Sequence, residues 1–375
     1  MKYDFTYYNP TRIHFGRDAI GHLADELTHY GKNILLVYGK GSVKKSGLYD
    51  NVLTILKQAG KTVTELSGIK SNPSYTQLLE GARLVREHQI DLILAVGGGS
   101  VIDGDPWQKY WIDFQPIENK IVPVGAILTM VGTGSEMNGG SVITNEEKML
   151  KCGRVFPAEV NPKFSILNPT YTYSVPKYQM ASGIFDTTSH LMEQYFSGDD
   201  DSTTDYVIEG VLHSLIHSAK IAMQNPNDYE ARSNIMWCAT IGLNTITGLS
   251  KQQDWEVHMI EHQLGAYTDC AHGAGLAVIS LPYYRMIAPY GIDKFVRFAK
   301  NVWDIDTDSL SKTEAAEAGI EKLRDFIKEL ELPLTLRDLG ATEEMLPKIA
   351  NSTVLGGAYK VMNAEDILAV LKQCY

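Results

Sequence analysis

At 375 residues the chain is too long for one simple core and fits two domains of ordinary size. Its composition, 44% hydrophobic and 21% charged, is that of a soluble globular protein, and a net charge of −11 argues against nucleic acid or an anionic membrane as the main partner. Four widely spaced cysteines form no CxxC pair, the N-terminus lacks the apolar core of a signal peptide, and no apolar run can span a bilayer. The expected compartment is therefore a reducing cytoplasm.

The first half alternates strand-like and helix-like patterns. Apolar runs at Ile34–Tyr38, Val63–Leu66, Leu92–Val96 and Ile121–Val124 read as strands. Between them lie amphipathic stretches such as Ser74–His88, with Leu78, Leu79, Ala82 and Val85 on one face. This alternation predicts an α/β domain with a parallel sheet, whose ligands bind at the carboxyl ends of the strands.

Glycine-rich turns follow three of the runs: Gly39 with Gly41; Gly97, Gly98 and Gly99 with Ser100; and Gly132-Thr133-Gly134-Ser135 after Thr129. Bare backbone of this kind lets N–H groups approach a pyrophosphate. None has the GxGxxG spacing, and one such turn alone is ordinary loop chemistry. Three on one parallel sheet point to a nucleotide site. The first carries Lys40, Lys44 and Lys45 and no acid. A ribose 2′-hydroxyl calls for an acid there, and a 2′-phosphate for its absence with a cation nearby. The bland reading of these lysines is a solvated helix start.

Further along, Pro106 follows Asp103 and Asp105. Proline is disfavoured in a second helical turn but favoured at a first position behind an Asp cap. The helix after the triple glycine is therefore expected to be kinked or to start late, near Asp105.

From Pro176 the strand pattern stops and helices follow, separated by Gly, Pro and Asn breaks. The expected division is 1–177 and 178–375, the second domain all-helical. Ser311 to Leu330 is a clear helix, with Ser311 and Glu314 as a capping box and Ile320, Leu323, Ile327 and Leu330 as its apolar stripe.

Asp186 and His190 are spaced to share a helical face, and so are His258 and His262; His272 follows a turn-like break. Imidazole and carboxylate together suit zinc or ferrous iron. Asp186 with all four histidines would leave no room for substrate, so one histidine belongs behind the metal. The competing reading is a set of hydrogen-bonded core histidines.

Together these segments resemble the iron-containing (group III) alcohol dehydrogenase family, in its butanol-dehydrogenase-like branch. The resemblance runs through Asn72-Pro73, GGGSVID at 97–103, GTGSEMN at 132–138, FSILNP at 164–169, DxxxHxxE at 186–193, and HxxxH with a later HG at 258–273. It implies a Rossmann-like dinucleotide domain and a helical metal domain, with Asp186, His190, His258 and His272 as metal ligands. His262 then lines the path of the alcohol proton. Cofactor contacts fall to Gly39, Gly41, Ser42, Asn72, Gly98, Gly99, Ser100, Asp103, Thr129, Thr133, Asn138 and Lys151. Many members carry Asp where this chain has Gly39 and prefer NAD, so Gly39 points to NADP, with NAD possible. The implied activity is interconversion of a small alcohol and its aldehyde, the metal (Fe2+ or Zn2+) polarising the oxygen and the nicotinamide carrying hydride. Members are commonly homodimers or larger. Two departures stand out: Pro106 replaces a customary lysine, and Asn168 a frequent aspartate. Rival readings are a metal hydrolase, a glycerol-dehydrogenase- or dehydroquinate-synthase-like enzyme, and an inactive nucleotide-binding relative.

Overall fold

The computed structural model describes residues 1–70, 72–97 and 107–375, with the backbone alone at 107–109. Tyr8–Val175 form one compact unit; Pro176–Tyr375 with Met1–Tyr7 form the other.

In the first unit the strands are β1 (Arg12–Phe15), β2 (Asn33–Tyr38), β3 (Thr62–Leu66), β4 (Leu92–Gly97), β5 (Val124–Leu128), β6 (Gly140–Asn145), β7 (Leu150–Val155) and β8 (Phe164–Leu167). Six of them make a parallel sheet in the order β1-β8-β5-β4-β2-β3, and β6 and β7 form a separate antiparallel hairpin. The helices are α1 (Leu23–Leu27), α2 (Ser42–Lys45), α3 (Leu48–Gln58) and α4 (Tyr75–Glu87).

The central strands are apolar without a break because both faces are covered. Ile34, Leu36 and Tyr38 of β2 share one core cluster with Leu92, Leu94 and Val96 of β4. Leu35 and Val37 share the other with Ile93. Two expectations need correction. The run at Ile121–Val124 only leads into a strand: β5 starts at Val124, because Pro123 has no N–H to give to a ladder. Pro123 instead accepts at its carbonyl from the Ile93 N–H, 2.9 Å away. On α4, Leu78 and Ala82 are buried as expected, but Leu79 is 37% exposed. It lies about 100° around the helix from Leu78 and off the packed stripe, where Leu84 is buried instead.

The chain steps from β2 outward to β3, then returns across β2 to β4 and on to β5. This reversal between β2 and β4 is where open parallel sheets bind ligands. Tyr38 is level with Val96, and Gly97 with Leu128, so the carboxyl ends of β2, β4 and β5 lie at one edge of the sheet. Gly97 takes φ +149°, a conformation that a side chain would strain. Gly98, Gly99, Ser100, Asp103 and Pro106, and with them the expected late helix start near Asp105, lie outside the described residues. The described backbone resumes with a π-helical turn at Trp107–Ile112.

The second unit is helical: α5 (Lys177–Tyr195), α6 (Thr203–Gln224), α7 (Tyr229–Gly242), α8 (Glu256–Thr268), α9 (His272–Ile287), α10 (Ile292–Trp303), α11 (Lys312–Glu329), α12 (Leu346–Ser352) and α13 (Ala364–Gln373). Helix α11 has the predicted Ser311–Glu314 capping box, and Ile320, Leu323, Ile327 and Leu330 are buried. Helix α5 is buried all round from Met180 to Tyr195. Its polar side chains are mostly satisfied locally: Thr187 donates to the Gly183 carbonyl (3.0 Å) and Thr188 to that of Ile184 (2.9 Å). Among the described residues no helix is long and apolar enough to cross a membrane.

Candidate active site

Five of the predicted residues meet in the helical unit. Asp186 and His190 come from α5, His258 and His262 from α8, and His272 opens α9. Gly273 explains how α9 reaches α5. A Cβ placed there would lie 1.9 Å from the Ser182 carbonyl oxygen, so only glycine admits this approach.

The approach to α8 is also fixed. Thr245, Ser250 and Trp255 all take left-handed backbone, with φ of 82°, 61° and 65°. Such non-glycine residues persist only where their surroundings over-determine them. Lys251 and Lys294, both buried, clamp the loop by sharing Asp205 at 2.6 and 2.8 Å. Trp255 is half-buried, with its ring set edge-on to His258 and His190 (centroids 5.3 and 6.0 Å).

Asp186 Oδ1 is the focus of the cluster. It lies 3.3 Å from His190 Nε2, 3.7 Å from His258 Nε2 and 3.5 Å from His272 Nε2. Metal–ligand bonds of about 2.1 Å in tetrahedral geometry space the donor atoms by about 3.4 Å. Asp186 Oδ1 and His258 Nε2 are both buried and make no hydrogen bond, an arrangement that is costly unless a cation sits among them. The donor set thus fits a divalent metal. Burial opposes a charge on Asp186, but the attraction of His190, His272 and His258 prevails and holds its carboxyl well below the usual carboxylate range. Burial pushes His190 down to about 3, leaving its ring neutral. His258 also bears the cost of burial, yet Glu193 and Asp186 pull it up to about 10. A metal at Nε2 would displace that proton.

His262 stands beside this focus. Its ring stacks on His272 (5.7 Å, 25°) and sits edge-on to His258 (6.2 Å). It groups with Glu261 and His272 as a second set of neighbouring donor atoms.

Several acids were given no role by the sequence reading, although Glu193 closes the DxxxHxxE segment. Glu193 Oε1 bonds His258 Nδ1, and Glu261 Oε2 bonds His272 Nδ1. Nearby, Asp254 accepts from the Tyr283 hydroxyl (2.5 Å) and the Ala358 N–H (2.7 Å), and burial pushes it up to about 6. Glu256 is fully buried, faces Asp254 and Glu193, and is pushed up to about 8, mainly by burial. Beyond the motif at Glu193, the signal for these in sequence was acidic residues within or just before buried helical segments.

In the α/β unit, Gly39 and Gly41 follow β2 and Ser42 opens α2, while Thr129 and Thr133 follow β5. Asn138 shapes the latter turn by donating to the Thr133 carbonyl (3.1 Å) and accepting from the Gly140 N–H (2.7 Å). Lys151, buried on β7, pairs in register with Thr144, whose N–H bonds the Pro73 carbonyl (2.8 Å). That contact brings the Asn72-Pro73 turn beside the hairpin. Asn168 uses both ends of its amide, donating to the Arg17 carbonyl (2.8 Å) and accepting from the Thr170 N–H (3.0 Å). An aspartate could not make the first bond.

Comparison with known proteins gives concordant matches. Residues 10–169 match the model of the iron-containing alcohol dehydrogenases, and residues 180–375 that of the Fe-containing alcohol dehydrogenase family, C-terminal. The chain is 38% identical to NADH-dependent butanol dehydrogenase A of Clostridium acetobutylicum, over 99% of each chain. It is 35% identical to the NADPH-dependent aldehyde reductase YqhD of Escherichia coli, over 99% of this chain and 98% of that one. The crystal structure of NADH-dependent butanol dehydrogenase A from Thermotoga maritima superposes with a TM-score of 0.94 at 33% identity, covering 100% of this chain and 99% of the other.

Proposed function

The chain belongs to the iron-containing alcohol dehydrogenase family, in its butanol-dehydrogenase-like branch, and is an alcohol/aldehyde oxidoreductase that uses a nicotinamide and a metal; we propose that Asp186, His190, His258 and His272 hold the metal and that NADP(H) is the preferred nicotinamide. The convergence of three imidazole nitrogens on one buried carboxylate oxygen carries this reading. A bound Fe2+ or Zn2+ supplies Lewis acidity toward the alcohol or carbonyl oxygen. The protein's own part is to hold that oxygen's surroundings dry, through α5 and Trp255, and to move the proton through His262, whose ring adjoins two of the ligands. The turns after β2, β4 and β5 are assigned to the dinucleotide, with Lys151 and Asn138 beside them.

The test is a panel of small aldehydes with NADPH and NADH, with and without chelator. Loss of reduced-nicotinamide absorbance that the chelator stops is the expected result. Turnover that survives complete metal removal, or none with any aldehyde after reconstitution, would overturn it. The second outcome would favour an inactive relative; hydrolysis without nicotinamide would favour a metal hydrolase.

NADP(H) preference is supported by the end of β2. Gly39 offers no acid to a ribose hydroxyl, and the acid on the next strand, Glu65, is taken by the Tyr38 and Tyr49 hydroxyls (2.5 and 2.8 Å). Lys44 lies over the rings of those tyrosines, at 5.1 and 4.5 Å, so Lys40 and Lys45 are the cations assigned to the 2′-phosphate. The relatives named above are divided on this point, two NADH- and one NADPH-dependent. A Cβ on Gly39 would meet only the Ile69 carbonyl, at an ordinary 3.6 Å, so Gly39→Asp fits without a clash. That variant should lose roughly 10- to 100-fold in kcat/KM for NADPH, the worth of a charged hydrogen bond, and gain with NADH. Equal use of both cofactors by the unaltered enzyme would defeat the assignment.

The four cysteines are all free thiols, in keeping with a reducing cytoplasm. A homodimer or larger homo-oligomer is also proposed, supported by the exposed aromatic residues Tyr3, Phe5 and Tyr7 of the helical unit. A monomeric mass by light scattering would remove that part.

A further inference from the structure

Glu193 and Glu261 lie behind the metal-facing histidines rather than among the donors. Each crosses from its own helix to the next ligand: Glu193 on α5 bonds Nδ1 of His258 on α8, and Glu261 on α8 bonds Nδ1 of His272 on α9. Glu193 is itself held, accepting from the Ser189 hydroxyl at 2.9 Å and from the His258 backbone N–H at 3.3 Å. Both carboxylate side chains are completely buried. A buried carboxylate is costly unless it faces positive charge, and here the nearest polar partner of each is an imidazole aimed at the metal position.

The third histidine is different. His190 Nδ1 is buried and has no hydrogen-bond partner. Its ring is kept in place by stacking on His258 (4.8 Å, 14°) and by the Trp255 edge. The three imidazoles are thus unequal in what stands behind them.

We propose that Glu193 and Glu261 are positioning residues that fix His258 and His272 with Nε2 as the donor atom and strengthen both as donors, making His190 the weakest imidazole of the set. An Nδ1–H given to a carboxylate leaves the Nε2 lone pair directed at Asp186 and raises the basicity of the ring. A ring with an unbonded Nδ1 has neither its tautomer nor its angle set in this way. The proposal rests on the metal assignment made above, and it predicts a graded site, with two reinforced donors, one plain one and a carboxylate.

The test uses full-length protein stripped of metal and titrated with Co(II), followed by its visible absorption and by chelator competition. Glu193→Ala and Glu261→Ala should each weaken Co(II) binding roughly 10- to 100-fold and alter the absorption envelope. Glu193→Gln and Glu261→Gln should recover part of the loss, because the amide oxygen still accepts from Nδ1 without its charge. His190→Ala should cost less affinity than His258→Ala. Melting of the metal-free proteins separates this from helix bracing, which would lower the midpoint and leave the Co(II) constant unmoved. Unchanged affinity in both alanine variants, or in both glutamine variants if the alanine forms do not fold, would overturn the proposal. So would a larger loss at His190 than at His258. Failure of the unaltered protein to bind Co(II) would instead strike the metal assignment itself.

Discussion

His258→Ala and His272→Ala are each expected to lose bound metal and turnover together. Each removes one of the nitrogens that stand 3.7 and 3.5 Å from Asp186 Oδ1, and each leaves a buried carboxylate, Glu193 or Glu261, facing a void where its imidazole was. The loss should exceed the roughly 10- to 100-fold worth of an outer partner, since a donor goes and its partner is stranded as well. Elemental analysis after dialysis, with aldehyde-dependent oxidation of reduced nicotinamide on the same sample, checks both halves. Circular dichroism establishes that the helices remain. A variant that keeps full metal content would show the ligand set to be wrongly drawn.

The pairs of residues that share a helical face were legible in sequence because helical spacing is short-range information. Asp186 and His190 share a face of α5, and His258 and His262 a face of α8, whatever the rest of the chain does. What spacing could not separate was ligand from neighbour. His262 has the same spacing as the proposed ligands, yet its ring stacks beside His272. That distinction depends on how α8 and α9 pack. The partners of Glu193 and Glu261 were illegible for the same reason: the two glutamates follow His190 and precede His262 in the chain, but their bonds go to other helices.

In the α/β unit, the longer unbroken apolar runs were easy to read, whereas β1, β6, β7 and the short β8 were missed. Strand β1 is RIHF at a sheet edge, and β7 carries Lys151 and Arg154 in a hairpin outside the main sheet. Neither is apolar on both faces, so neither stands out by composition. The error at Ile121–Val124 came from weighing hydrophobicity over the proline within it.

His262→Ala should keep its metal and lose rate. The ring is buried, and the Nε2 atoms that stand around Asp186 Oδ1 come from His190, His258 and His272, so its removal should leave that focus in place. What goes is an imidazole next to His272 and His258. A general acid–base group of this kind is worth roughly 10²–10⁴ in rate. The loss should fall on kcat in both directions, because the alcohol proton must leave on oxidation and return on reduction. The pH dependence of kcat should also change, since a group that exchanges the substrate proton has gone. His262→Gln separates the proton from the space: it fills much of the ring's volume and can hydrogen-bond, but cannot exchange a proton at this pH. The glutamine form should therefore be as slow as the alanine form while retaining substrate KM. Metal content, kcat and its pH profile on one preparation decide the matter. Loss of metal on either substitution would move His262 among the ligands, and an unaltered pH profile would mean that the proton leaves by another route.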